Sequence, residues 1–114
     1  MRVIAPWQIW WAKLDPIVGH EQAGTRPVLV ISSQFHLRLT RAAMLTIVPL
    51  TTRERPYLLH RIRIDIPDNR PTYVITEQQR SISADRITGK TPMYELTSEQ
   101  IHQVRSVLRA MMDI

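Results

Sequence analysis

Apolar and polar positions follow two different periods along this chain, one suited to strands and, near the C-terminus, one suited to a helix. Residues 7–14 (WQIWWAKL) predict a first strand, and the β-branched run 27–32 (PVLVIS) predicts a central strand buried on both faces. A third strand is expected over 43–50 (AMLTIVPL), ending in Thr51-Thr52-Arg53. Residues 60–66 (HRIRIDI) alternate strictly, which turns Ile62, Ile64 and Ile66 inward and Arg61, Arg63 and Asp65 outward, with two guanidinium groups on one solvent face. A short strand over 72–76 (TYVIT) follows, then Glu77-Gln78-Gln79-Arg80 as a single helical turn, then extended chain over 81–87.

The period changes at Thr97. Thr97-Ser98-Glu99-Gln100 is a capping-box sequence, and Ile101, Val104, Leu108 and Met111 follow at spacings of three and four, which predicts an amphipathic helix over 97–112 lying across the sheet. Strands first and helix last give a mainly β, α+β fold: a small, strongly curved antiparallel sheet or partly open barrel with a terminal helix. At 114 residues, with no internal repeat or linker, the whole chain (1–114) reads as a single domain.

Charge adds a bias toward particular partners. Lys and Arg number 15 against 10 Asp and Glu, a net charge of +5, and all but Lys13 and Lys90 of the basic residues are Arg. Guanidinium groups suit planar, bidentate recognition of phosphate or carboxylate, so nucleic acid or an acidic protein is the expected partner, with solubility the plainer alternative. The absence of Cys removes disulfides, thiol nucleophiles and thiolate metal sites and agrees with a reducing compartment. Residues 1–11 are apolar but interrupted, and no run reaches the ~20 residues that span a bilayer, so a soluble cytoplasmic protein without membrane contact is expected.

Between the first two strands lies a polar loop, 16–26, longer than an ordinary hairpin connection and carrying His20, Glu21, Gln22 and Arg26. Gly19 and Gly24 supply two positions where positive φ is permitted, and Pro27 fixes the backbone where the next strand begins, holding Arg26 at the sheet edge. His20-Glu21 resembles the start of a zinc-binding HExxH, but Gly24 stands where the second His belongs. His36, His60 and His102 sit in separate elements without ligand spacing, and three glycines make no phosphate-cradling loop, so neither metal nor cofactor is expected. What is left is a set of strand-end polar residues that a curved sheet can bring together: Arg26, Thr51, Thr52, Arg53, Glu77, Gln78 and Arg80.

These residues carry a family resemblance. IWWAKLDP, GHEQAGTRPVLVIS, VPLTTR and EQQRSIS occur in the order and spacing seen in MazF/PemK-type toxins of type II toxin–antitoxin pairs, from about Trp7 to Arg86, with the terminal helix in addition. The resemblance implies an SH3-like barrel of the CcdB/Kid/PemK type that forms a homodimer. It also implies a metal-independent endoribonuclease that cuts single-stranded RNA at short sequences, and a cognate acidic antitoxin that folds over the site. Carried over residue by residue, it makes Arg26 and Thr51 the catalytic pair and maps the family's other patterns onto Gly19, Glu21, Gln22, Arg53, Glu77, Gln78 and Arg80; these polar residues, with His20 and Thr52 beside them, are the expected substrate contacts. One departure touches the local turn: where the family begins the first strand with Gly-Asp, this chain has Trp7-Gln8.

Cutting RNA without a metal means using the 2′-OH against the adjacent phosphate, which leaves a 2′,3′-cyclic phosphate and a 5′-OH and excludes DNA as substrate. Arg26 suits the clamp on the phosphate oxygens and Thr51 a hydroxyl donor to the same group. A guanidinium holds its proton far too tightly to be a good proton carrier near neutrality, so the role expected of Arg26 is electrostatic. Glu21 or His20 is either the base or a positioning group. Arg61 and Arg63 hold phosphates or the antitoxin, or form a solvated strand face. Two competing functions share the fold: a CcdB-type toxin that poisons gyrase without cleavage, and an inactive basic RNA-binding module.

Overall fold

The computed structural model describes residues 2–14 and 24–114. Three long strands form its centre: β1 (Gln8–Leu14), β2 (Gly24–Val30) and β3 (Met44–Thr51), each antiparallel to the next. Five short strands complete the sheet: β4 (Ile62–Ile64), β5 (Thr72–Val74), β6 (Arg80–Ser83), β7 (Ile87–Thr88) and β8 (Tyr94–Glu95). The order is β4-β5-β3-β2-β1-β7, with β6 and β8 beside the path. β3 pairs with β6 over Met44–Ile47 and with β5 over Leu50–Thr51, while β1 pairs with β8 at its start and with β7 further on. Splitting one edge of a long strand between two short partners bends the sheet, and among the described residues β4 and β7 end its path without meeting. This is the curved, barrel-like sheet the sequence predicts.

Burial on both faces explains why β1, β2 and β3 read as continuous apolar runs. One core holds Ile9, Leu29, Val48 and Leu50, and residues of the opposite parity, Trp10, Val28, Val30 and Ile47, form the other. Helix α2 (Ser98–Met111) covers the first core with Val104 and Leu108, each contributing about 1.5–3 kcal/mol by burial. Its capping box forms as expected: the Gln100 N–H donates to Thr97 Oγ1 at 3.2 Å, and the Thr97 N–H donates to Gln100 Oε1 at 2.9 Å. Met111, expected on the buried stripe, is instead exposed at the helix end.

Several local expectations need correction. A short helix α1 (Gln34–Leu39), capped by Ser33, and a 3-10 turn (Ala84–Arg86) interrupt chain that was expected to be irregular or extended. The 77–80 segment is no helical turn: the Gln78 N–H donates to Ile75 O at 3.0 Å in a β-turn, and Arg80 already belongs to β6. Pairing in β4 stops at Ile64, because Pro67 follows shortly and cannot donate to a ladder. Arg61 does not share a solvent face with Arg63; its side chain is 13% exposed and its Nη2 lies 3.7 Å from Glu77.

At the family's Gly-Asp position the chain keeps the turn with other residues. Trp7 adopts φ 67, a left-handed conformation that costs a non-glycine residue about 1–2 kcal/mol. Backbone hydrogen bonds hold it there, from Trp7 N–H to Val30 O at 2.8 Å and from Leu96 N–H to Trp7 O at 3.0 Å. Gln8 is buried, accepting from Ala5 N–H at 2.8 Å and Trp10 Nε1–H at 3.0 Å and donating to Glu95 at 2.8 Å.

Candidate active site

The site begins with a proline that cannot complete a ladder. Pro49 accepts from Ile75 N–H at 2.9 Å, so it turns its hydrogen-bonding edge toward β5, and its neighbours Val48 and Leu50 turn theirs toward β2. In the β2–β3 register, Val30 faces Ile47, Leu29 faces Val48 and Val28 faces Pro49, and the next pair would be Pro27 with Leu50. Pro27 has no N–H to give, and the recorded pairing stops there. Carried one step beyond the last pair, the same register would set Arg26 opposite Thr51, and both line one cleft.

Arg26 therefore lies inside a strand. Paired with Ala12 on β1 and two residues past Gly24, it sits in a central strand of the sheet, which corrects its placement in a loop at the sheet edge. Gly24 does take the positive φ expected of it, at 80°. Gly19, His20, Glu21 and Gln22 lie outside the described residues.

The row continues across the sheet. Thr51 faces Tyr73 on β5, and Tyr73 faces Arg63 on β4, so Arg26, Thr51, Tyr73 and Arg63 share one face of four neighbouring strands. From first to last this is three strand spacings, about 14 Å. Thr51 Oγ1 accepts from the Arg53 N–H at 3.2 Å, which orients the hydroxyl and leaves its own hydrogen to donate. The Tyr73 hydroxyl donates to Glu54 Oε2 at 3.0 Å, and burial together with that carboxylate holds its pKa above the ordinary phenol value. It stays protonated near neutrality and cannot serve as a base. The Arg63 Nε donates to Asp65 at 2.9 Å, and that hydrogen bond raises the guanidinium pKa further.

At the open end of the β2–β3 seam lies a cleft of about 440 Å³, lined by residues of both sheet faces. Arg26, Thr51 and Thr52 come together there, and with them Trp11, Asp68 and Asn69, which sequence reasoning did not single out. The Pro67-Asp68-Asn69 stretch is a turn signal, but nothing in a turn signal says which strand end it will face. Glu77, Gln78 and Arg80 do not line this cleft. Arg80 faces Ile47, four residues back along β3 from Thr51, a separation of about 13 Å. Glu77 meets His60 Nε2 at 2.7 Å, beside the C-terminal end of α2. Arg53 is exposed just beyond Thr51. Among the described residues no group of three His, Cys, Asp or Glu side chains is placed to hold a metal ion.

Sequence comparison matches residues 5–112 to the family described as PemK-like, MazF-like toxin of type II toxin–antitoxin system. Endoribonuclease EndoA of Bacillus subtilis (strain 168) is 30% identical over 104 residues, covering 89% of this chain and 87% of that protein. Among solved structures, MazF from Deinococcus radiodurans superposes with a TM-score of 0.83 at 22% identity, covering 100% of both chains. A MazE–MazF structure from the same organism gives a TM-score of 0.78 at 22% identity, covering 100% of this chain and 99% of that one. These matches do not favour the CcdB-type reading. With a family match over nearly its whole length and a relative similar along most of both chains, this protein belongs to the PemK-like, MazF-like toxins of type II toxin–antitoxin systems.

Proposed function

We propose that this chain is a metal-independent endoribonuclease that cuts single-stranded RNA and is held inactive by an acidic antitoxin. The observation that carries the reading is the meeting of Arg26 and Thr51 in one cleft, just past the point where the β2–β3 ladder ends at Pro27. Its relative EndoA is named an endoribonuclease, which supports the reaction class.

In this mechanism the 2′-oxygen attacks the neighbouring phosphorus as its P–O5′ bond breaks. The 2′-OH loses a proton and the leaving 5′-oxygen gains one, with no net water consumed. Arg26 binds the oxygens that gain charge in the pentacoordinate transition state, and the Thr51 hydroxyl donates to the same group. Both sit on strands of the central sheet, so their separation is fixed before substrate arrives. His20 or Glu21, shortly before Arg26 in the sequence, either takes the proton from the 2′-OH or positions the RNA. Arg63, further along the row, and exposed Arg53 hold flanking phosphates.

Glu77, Gln78 and Arg80 keep a substrate-contact role outside the cleft, on the path of the strand beyond it. Family membership supplies the expected partner, an acidic, disordered antitoxin segment, and the chain's net charge of +5 is consistent with it. The D. radiodurans neighbour is a MazE–MazF structure, which supports that pairing. A homodimer acting in the cytoplasm completes the proposal; no helix among the described residues is long and apolar enough to cross a membrane.

The test is to incubate antitoxin-free protein with single-stranded RNA in excess chelator and assay the new ends. Cyclic-phosphate and 5′-OH termini are expected on RNA, with no cutting of the equivalent DNA. Intact RNA, or cutting that needs added divalent metal, overturns the reading.

A further inference from the structure

Trp11 is 42% exposed in the middle of β1, although its neighbours in sequence, Trp10 and Ala12, are fully buried. It is also rigidly placed: it pairs with Pro27 on β2 and Thr88 on β7, so its backbone is fixed from both sides. The described chain leaves a large part of this indole open to solvent, at the cleft that holds Arg26 and Thr51. A large aromatic plane kept half in solvent on a rigid strand is a stacking surface.

The same cleft also offers hydrogen-bonding groups. Asp68 occupies the left-handed region at φ 63 in a turn closed by the Asn69 N–H donating to Ile66 O at 3.1 Å. The Asn69 amide nitrogen donates to Pro67 O at 3.1 Å, which fixes the side chain and leaves its oxygen as an acceptor. Among the described residues no salt bridge engages Asp68. Two acceptors lining the same cleft as a stacking plane match the exocyclic amino groups on a base edge. The cleft volume of about 440 Å³ is in the range that holds small-molecule ligands.

We infer that this cleft binds one unstacked nucleobase of the RNA beside the scissile phosphate, stacked on Trp11 and read at its amino-bearing edge by Asp68 and Asn69. The inference rests on the ribonuclease reading for its substrate. It adds the residues that set sequence preference at one position next to the cut.

Two measurements test it together. In the first, a randomised single-stranded RNA is cleaved by wild type, Trp11→Ala, Trp11→Phe, Asp68→Asn and Asn69→Ala, and the cut sequences are compared. Loss of stacking in Trp11→Ala lowers kcat/KM about 10- to 100-fold, mostly through KM, and Trp11→Phe recovers part of it. Asp68→Asn and Asn69→Ala change the preferred base at a single position flanking the cut. Unchanged sequence preference in these two, with Trp11→Ala cutting like wild type, overturns the inference.

In the second, tryptophan fluorescence is titrated with single-stranded RNA in the Arg26→Ala background, with and without Trp11→Phe. Quenching that disappears with Trp11→Phe is expected, since Trp10 is fully buried and Trp7 lies under Arg105 at 5.4 Å. Equal quenching without Trp11 overturns the inference. So does a wild-type signal that shifts with protein concentration alone, which would place Trp11 against another copy of the chain. Wild type that quenches through Trp11 but makes no cuts supports the pocket and defeats the ribonuclease reading, so the two failures are separable.

Discussion

Pro27 sits one residue after Arg26, and the donor it lacks falls on the side that faces β3. Shifted by one position, the same proline would turn its missing N–H toward β1 and break a different ladder. As placed, it ends pairing just before the pair that would set Arg26 against Thr51. The nature of the residue at 51 then matters through its hydroxyl, oriented by the Arg53 N–H. Thr51→Ser keeps that hydroxyl and is expected to cut within a few-fold of wild type. Thr51→Val removes it at nearly the same volume and should lower kcat by about 10²–10³ with RNA affinity little changed, as for loss of one oxyanion donor. Single-turnover cleavage of both variants decides it; equal rates for Thr51→Val and wild type remove Thr51 from the chemistry. Both residues were legible in the sequence, and the family resemblance already named them as a pair. The register that brings them to one strand end was not, because it is set by the whole β2–β3 pair.

Elements with a strong local signal formed as the sequence predicts, and those whose identity rests on contacts did not. Helix α2 carries its own cap, its own period and its own end, so 97–112 could be read without a partner. Thr97→Ala should cost about 1 kcal/mol, with a lower thermal midpoint and unchanged cleavage at low temperature; an unaltered midpoint would mean the cap contributes nothing. The 77–80 turn and β4 show the other case. Glu77-Gln78-Gln79-Arg80 has helical propensity, yet the chain must pass from β5 to β6 along one edge of β3, and a β-turn makes that switch. Strict alternation in 60–66 placed the isoleucines well, with Ile64 and Ile66 buried. It failed for Arg61, which reaches Glu77 from beyond the end of the paired strand. The wall of the cleft, Asp68 and Asn69, belongs to a loop whose position no periodicity encodes.

For the whole molecule, the charge balance noted in the sequence acquires a direction. Arg26 and Arg63 flank Thr51 and Tyr73 on one face, with exposed Arg53 just beyond Thr51, and this arrangement suits a strand of phosphates crossing the sheet. If three such contacts form, log K for single-stranded RNA should fall with log[salt] at a slope of about −2, and Arg63→Ala should reduce that slope by about 0.7. A flat response would leave the arginines as a solvated surface. On the proposed reading the same charge complements an acidic antitoxin, so antitoxin and RNA are expected to compete for it. Curvature of the sheet was read from strands first and a helix last, and burial on both faces from the apolar run 27–32; which residues form each core emerges only from the register.

The central claim is that Arg26 stabilises the transition state and contributes little to holding substrate. The direct test compares Arg26→Ala with wild type in the same chelator-containing buffer, measuring single-turnover cleavage and equilibrium binding of one single-stranded RNA. Cleavage slowed by about 10²–10³ with binding still readily detected is the predicted result. Cleavage at the wild-type rate, or a loss accounted for entirely by weaker binding, would contradict it.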